Sequence, residues 1–276
     1  MISQNPKNKK VIVITGTSSG VGAAFAKLAK QKSNCFLIGV GRDDYDASGC
    51  VEKYIKADLL NNADIDNVIG IIKKETGRVD VLINNAGVGY KGTIEDLSIR
   101  DIKKQIQVNF IAPVTLIQGI LPLMRKQKQG HIINVCSIGA YTKTPTFGYY
   151  AITKNMLLMS SEILREEIRP WNIKISILIP GAIKSNFGKN IKFNQNQNCY
   201  SKLYKEWEGR FKNYFRINDS VEKIAKQLWE LIEKPQEIII CSSREKWIII
   251  WQKLLSRKVN RYLLYKHIYY KDKEKI

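Results

Sequence analysis

"KVIVITGTSSGVG", residues 10–22, is the stretch whose reading decides the fold. Its first half, KVIVIT (10–15), is a continuous β-rich apolar run, the composition of a strand buried on both faces. TGTSSGVG (15–22) follows directly and opens a helix over 20–31. Gly16 permits the sharp turn, while Gly20 and Gly22 let the backbone approach a ligand and let the helix pack close to the strand. The free N–H groups of the helix start then face a pyrophosphate. A plain strand-to-helix turn could use the same glycines, but the strand–turn–helix context raises the specificity of the pattern. The spacing is not GxGxxG.

The same apolar pattern recurs outward from this point. CFLIGV (35–40), VDVLIN (79–84), HIINVC (131–136), IKISILI (173–179) and EIIIC (237–241) read as strands, with a weaker one at KYIKA (53–57). Helices are expected over 63–76, 101–127, 150–168 and 219–233. Strands alternating with helices imply an α/β fold with a doubly wound parallel sheet and right-handed crossovers. The expected organisation is a polar lead (1–9), one domain (10–241) and a basic C-terminal extension (242–276). Residues 184–217 lack a strand pattern and read as a long excursion from the sheet, rich in Asn, Lys and aromatics.

Composition removes several function classes. The 276 residues carry a net charge of +20, but lysine is spread over the whole chain and no nucleic-acid recognition motif accompanies it. Five cysteines (35, 50, 136, 199, 241) form no CxxC or Cys/His cluster, so neither a disulfide framework nor a metal site is expected. The start, MISQNPKNKK, lacks the apolar stretch of a signal peptide, and no run of 18 apolar residues predicts a spanning helix. A reducing, cytoplasmic setting is the expectation.

Taken together, these motifs resemble the classical short-chain dehydrogenase/reductase family, over roughly residues 10–241. TGxxxGxG is matched by Thr15, Gly16, Gly20 and Gly22; NNAG by Asn84, Asn85, Ala86 and Gly87; a family tetrad by Asn109, Ser137, Tyr150 and Lys154. The resemblance implies a Rossmann-type fold and an NAD(P)-dependent oxidoreductase interconverting a carbonyl and an alcohol by hydride transfer. It places a cofactor against Thr15, Gly16, Ser18, Ser19, Gly20, Val21, Gly22, Asp58, Leu59, Asn85, Ala86 and Gly87 on the adenosine and phosphate side. Tyr150, Lys154, Pro180, Gly181, Ile183 and Ser185 meet it on the nicotinamide side. It makes 184–217 a substrate lid and implies a homodimer or homotetramer built through the helices at 101–127 and 150–168. A non-catalytic nucleotide-binding scaffold or sensor on the same fold is the alternative, and the complete tetrad argues against it.

The chemistry explains the residue types. Hydride delivery to a carbonyl carbon leaves an alkoxide that needs a proton. A free tyrosine has a pKa near ~10, and a lysine one helical turn away favours its anion, moving it toward the working pH. Tyr150 is therefore expected to be the acid and Lys154 its tuner, with Ser137 donating to the carbonyl oxygen. Tyr149 has no lysine four residues on and is given a packing or lining role. Asn109 interrupts a long helical stretch, and the resemblance gives its region a proton-relaying water. At the end of the second strand, GVGRDD puts Arg42 where it would accommodate a 2′-phosphate, so NADP(H) is preferred and NAD(H) possible. The aromatics of 184–217 either line an apolar pocket for a lipophilic substrate or anchor the lid. In the tail, Trp247, Ile250, Trp251, Leu254, Leu255, Val259 and Tyr262 recur at helical spacing amid ten Lys/Arg against three Asp/Glu over 242–276. Residues 244–270 thus read as a basic amphipathic helix that either packs on protein or contacts a membrane surface peripherally.

Overall fold

A computed structural model describes residues 9–184 except 33, 45 and 47, together with 187, 192–193, 199–214, 218–254 and 259. The expected strands form as β1 (Lys10–Thr15), β2 (Cys35–Gly41), β3 (Lys53–Lys56), β4 (Val81–Asn84), β6 (Gly130–Val135), β7 (Ile173–Ile179) and β9 (Ile238–Ile240). All pair in parallel, in the order β3-β2-β1-β4-β6-β7-β9. The chain runs outward from β1 to β3, then returns to β4 on the other side of β1. That reversal opens a crevice at the carboxyl ends of β1 and β4, where ligands bind in such sheets.

The continuous apolar runs serve two faces at once. Val11 and Val13 of β1 point into one core, with Ile65, Val68 and Ile72 of α2 (Asn62–Glu75) and Leu116, Ile120 and Met124 of α4 (Ala112–Gln127). Ile12 and Ile14 point into the other, with Phe25 and Ala29 of α1 (Gly20–Lys30) and Ile224, Leu228 and Leu231 of α7 (Val221–Glu233). The starts of α2 and α7 are set by side-chain caps, Asn61 accepting from the Ala63 amide and Ser220 from the Lys223 amide.

The expected helix at 101–127 forms as one unbroken helical stretch, Ile99–Gln127, whose winding changes midway. It comprises α3 (Ile99–Ile106), a π-helical turn (Gln107–Ile111) and α4. The stretch Ile99–Gln127 is long and apolar enough to cross a membrane by length and composition. In the fold it is a core element: Leu116, Ile120 and Met124 are completely buried. α5 (Gly148–Glu167) packs on β7 through Leu157 and Leu158.

Parts of the excursion after β7 form regular structure that its sequence does not announce. A two-residue strand, β8 (Lys192–Phe193), pairs with β5 (Tyr90–Lys91), and α6 (Ser201–Tyr214) follows. After β9 comes α8 (Ser243–Leu254), the described part of the basic extension. Residues 255–258 and 260–276, which hold the rest of the expected amphipathic helix, lie outside the described residues, as does most of the lead at 1–9.

Candidate active site

The glycine turn is locked from behind. Thr15 Oγ1 accepts from the amides of Asn85 (3.1 Å) and Ala86 (3.0 Å), and Asn85 Nδ2 donates to the Thr15 carbonyl at 2.9 Å. Gly16 and Gly20 have φ of +80° and +59°, left-handed values that favour glycine. A methyl group at Gly22 would fall 2.0 Å from the Gly16 carbonyl oxygen, so helix and turn can close only around a glycine. Ser19 caps α1 in extended conformation with no side-chain hydrogen bond, and the first turn, which includes Val21, has no acidic residue. These features fit the pyrophosphate of a dinucleotide, whose anion takes the N–H groups at the helix start. Ser18 lies in the same turn.

Beside it, Arg42 is exposed just past β2, and Asp58 follows the neighbouring β3. The Ala57 amide donates to the Gly41 carbonyl at 2.7 Å, which holds the two tips together. Asp44 is engaged by Lys56. Asp58 Oδ1 accepts from the Leu60 amide at 3.0 Å, and the Leu59 carbonyl accepts from Gln107.

Farther along the crevice the four tetrad positions converge. The π-helical turn carries Asn109 inward, fully buried. Its amide clamps Val88, accepting from Val88 N–H and donating to Val88 C=O, both at 2.9 Å, and also donates to Thr153 Oγ1 at 3.0 Å. Gly87 is open between Asn109 Oδ1 and Lys154 Nζ: a methyl there would lie 3.4 and 3.6 Å from them. Ser137 follows β6, and its Oγ accepts from the Gly139 amide at 3.1 Å; it stands close enough to the Tyr150 phenol to favour its anion. Tyr150 and Lys154 rise from the first turns of α5, both buried.

Burial is the largest influence on the Tyr150 phenol and pushes it up to about 12; Ser137 opposes the rise and the Cys136 thiol adds to it. The Lys154 ammonium donates to the Val135 carbonyl at 2.9 Å and stands 6.0 Å from the centre of the Tyr150 ring. Its own pKa is lowered, again by burial. Burial thus disfavours the charged form of each group.

Pro180 and Gly181 end β7, the Pro180 carbonyl accepting from the Ile138 amide at 2.9 Å, one residue past Ser137. Ile183 is tied to Asp219 by a parallel bridge. Ser185, expected at the cofactor, lies outside the described residues.

Such an array, in this order and on this sheet, is decided by comparison with known sequences. The short chain dehydrogenase family model matches residues 10–196. The chain belongs to this family. Among similar proteins, a 3-ketodihydrosphingosine reductase of Bacteroides thetaiotaomicron is 34% identical over 181 residues, 66% of this chain and 66% of the relative, just short of two thirds of its length. Dehydrogenase/reductase SDR family member 7B of Xenopus laevis is 31% identical over 65% of this chain and 60% of its own. Among solved structures, a short-chain dehydrogenase from Streptomyces avermitilis superposes with a TM-score of 0.80 at 26% identity, covering 95% of this chain and 97% of its own.

Short-chain dehydrogenase motifs do not reveal every residue that the structure gathers here. Phe147 stacks on Tyr150 with ring centres 4.3 Å apart, and Phe187, in the excursion after β7, lies 5.6 Å from the same ring. Farther along the excursion the aromatics act as anchors: Tyr200 donates to Glu95 (2.6 Å), Tyr204 donates to Asp96 and accepts from the Thr93 amide, both at 3.0 Å, and Trp207 is buried. Tyr149 packs beside Tyr90, Leu97 and Ile102, as expected of a packing residue. Glu245 of α8 was not legible as a site neighbour. It is 1% exposed, and its carboxylate presses on Gly181. Oε1 accepts from Tyr214 (3.1 Å) and from Arg244 Nη2 (2.8 Å), while Oε2 has no partner among the described residues.

Proposed function

We propose that this short-chain dehydrogenase is an NADP(H)-dependent oxidoreductase that interconverts a carbonyl and an alcohol, acting on a lipophilic substrate. The observation that carries the reading is the buried Tyr150 phenol beside Ser137, in the crevice that also holds the open glycine turn. When bound, the nicotinamide cofactor supplies or takes up the hydride. The turn from Thr15 to Gly22 holds the pyrophosphate, Asp58, Leu59, Asn85, Ala86 and Gly87 line the adenosine side, and Arg42 takes the 2′-phosphate. Pro180, Gly181, Ile183 and Ser185 border the nicotinamide side.

In reduction, Ser137 donates a hydrogen bond to the carbonyl oxygen, and Tyr150 passes its proton to that oxygen as hydride reaches the carbon. Lys154 holds the nicotinamide ribose hydroxyls, and the Asn109 region leads the replacement proton in. Phe147 and Phe187 give the substrate an apolar wall beside the reacting group. Self-association uses the exposed apolar residues Ile111, before α4, and Ile152, Met159 and Ile163 of α5.

The test is NADPH and NADH consumption with a panel of ketones, 3-ketodihydrosphingosine among them. The wild type should consume NADPH with at least one apolar ketone, and Tyr150→Phe should lose nearly all turnover while keeping cofactor affinity. Binding of NADPH without turnover of any ketone or alcohol would favour a nucleotide-sensing scaffold instead.

A further inference from the structure

α8 has two opposed apolar faces, and the fold uses only one. Inward, Glu245 is 1% exposed and Ile249 4%, with Ile248 half-buried; both isoleucines pack in the cluster of Ile138, Leu157 and Ile179. Outward, Trp247 is 60% exposed, Ile250 43%, Trp251 53% and Leu254 76%. These four stand at i, i+3, i+4 and i+7, one stripe along the helix. The sequence expectation left open whether this stripe packs on the protein's own core. Within the described residues it does not, because the inward face already occupies that place.

The charge around the stripe indicates what covers it. Lys246 is exposed on the same helix, and residues 253–276 carry eight Lys/Arg against two Asp/Glu. A second copy of this equally basic chain would bring like charge to the contact. Exposed apolar residues suited to self-association, Ile152, Met159 and Ile163, lie elsewhere, on α5. A surface that is both apolar and anionic matches stripe and charge together. Tryptophans beside lysines are the composition of a helix lying at a lipid interface. Arg244, Glu245, Lys246 and Lys253 interrupt the apolar residues of α8, a charge density that suits a helix lying in the interface.

We propose that α8 docks the protein peripherally on anionic lipid bilayers, with Trp247, Ile250, Trp251 and Leu254 inserted at headgroup level and the basic residues over the anionic headgroups. This surface is independent of the oxidoreductase reading and can hold even if that reading fails. Its inward face, through Glu245 and Gly181, also fixes the candidate active site to the docked helix.

Co-sedimentation of the full chain with phosphatidylcholine vesicles, with and without phosphatidylserine, tests the docking. The wild type should pellet with the phosphatidylserine vesicles and be largely released by high salt. Trp247→Ser/Trp251→Ser, at exposed positions, should bind at least about tenfold more weakly, with an unchanged unfolding temperature. Lys246→Glu/Lys253→Glu should weaken binding to the anionic vesicles only. Failure of the wild type to pellet, or equal pelleting with neutral vesicles, overturns the proposal. So does a tryptophan variant that pellets normally but shifts to a smaller mass in light scattering, since the stripe would then be a contact between copies.

Discussion

Replacing Gly181 by alanine probes how α8 is fastened to the candidate site. The added methyl would fall 2.2 Å from Glu245 Oε1, 2.4 Å from Cδ and 2.9 Å from Cγ. Ordinary contact begins near 3.4 Å, so the carboxylate has to retreat by about 1 Å. It has little room, being 1% exposed and held by Tyr214 and Arg244. Overpacking of this kind costs about 1–3 kcal/mol, and we expect about 2, or roughly 4–6 °C in unfolding temperature. Glu245→Ala alone should cost less, about 1 kcal/mol. Arg244 is 35% exposed, so its pairing is partly screened, and the substitution also removes a buried carboxylate oxygen without a partner. In the double variant the shortened side chain at position 245 leaves space for the new methyl. Gly181→Ala should then cost under about 0.5 kcal/mol, a coupling of roughly 1.5 kcal/mol between the sites. Urea unfolding of the four proteins measures this, and NADPH affinity followed by fluorescence shows whether the turn itself has moved. Additive destabilisation would refute the contact; a Gly181→Ala protein as stable as the wild type would show that α8 does not press on the site.

Arg42→Asp should weaken NADPH by about tenfold or somewhat more and leave NADH nearly unaffected, because one charge-assisted contact is worth about 1.5–3 kcal/mol and this residue is exposed; equal losses for both, read from titrations at one ionic strength, would remove Arg42 from the 2′-phosphate. In the protein without cofactor, the ultraviolet difference between wild type and Tyr150→Phe should reveal no tyrosinate until pH approaches about 12, since burial holds the phenol there; an ionisation at neutral pH would restore Lys154 as the dominant influence. His131, hydrogen-bonded to Ser176 at 2.8 Å, is pushed down to about 4 by burial and by Lys10 and Lys174. Its folded pKa lies below the unfolded value of 6.5, so the unfolded chain binds the extra proton first and stability falls as pH drops from 6.5 toward 4, by about 2 kcal/mol at pH 5. His131→Gln should flatten that decline in urea unfolding, and an unchanged slope would contradict the assignment.

What the sequence made legible is what contiguous residues decide. A run such as KVIVIT commits to a strand with two buried faces, and Val11, Val13, Ile12 and Ile14 divide between two cores as that reading requires. The glycine turn was legible because its constraints are local: Gly22 is excluded from any other identity by a carbonyl six residues earlier. Asn109 could be placed at an irregularity of the helix, although its π-helical winding could not be foreseen. Helix α6 escaped because its sequence is polar on average, with no apolar run to set it apart from a loop. It is held by hydrogen bonds from Tyr200 and Tyr204 to residues 93–96, more than 100 positions away. Tyr150 makes the same point in energetic form. Spacing gives Lys154 four residues on, and that alone argues for a lowered phenol pKa. Burial, which raises it, is contributed by Phe147, Phe187 and the turn at Gly139, and only the folded chain reveals how completely they cover the ring. Glu245 is the extreme case. In sequence it is one acid in a basic tail, while in the fold it abuts the turn that ends β7, sixty-four positions earlier. Proximity in the chain thus specifies the glycine turn and the helix that presents the phenol. The burial of that phenol, and the tail's grip on the site floor, depend on contacts that exist only once the sheet has closed.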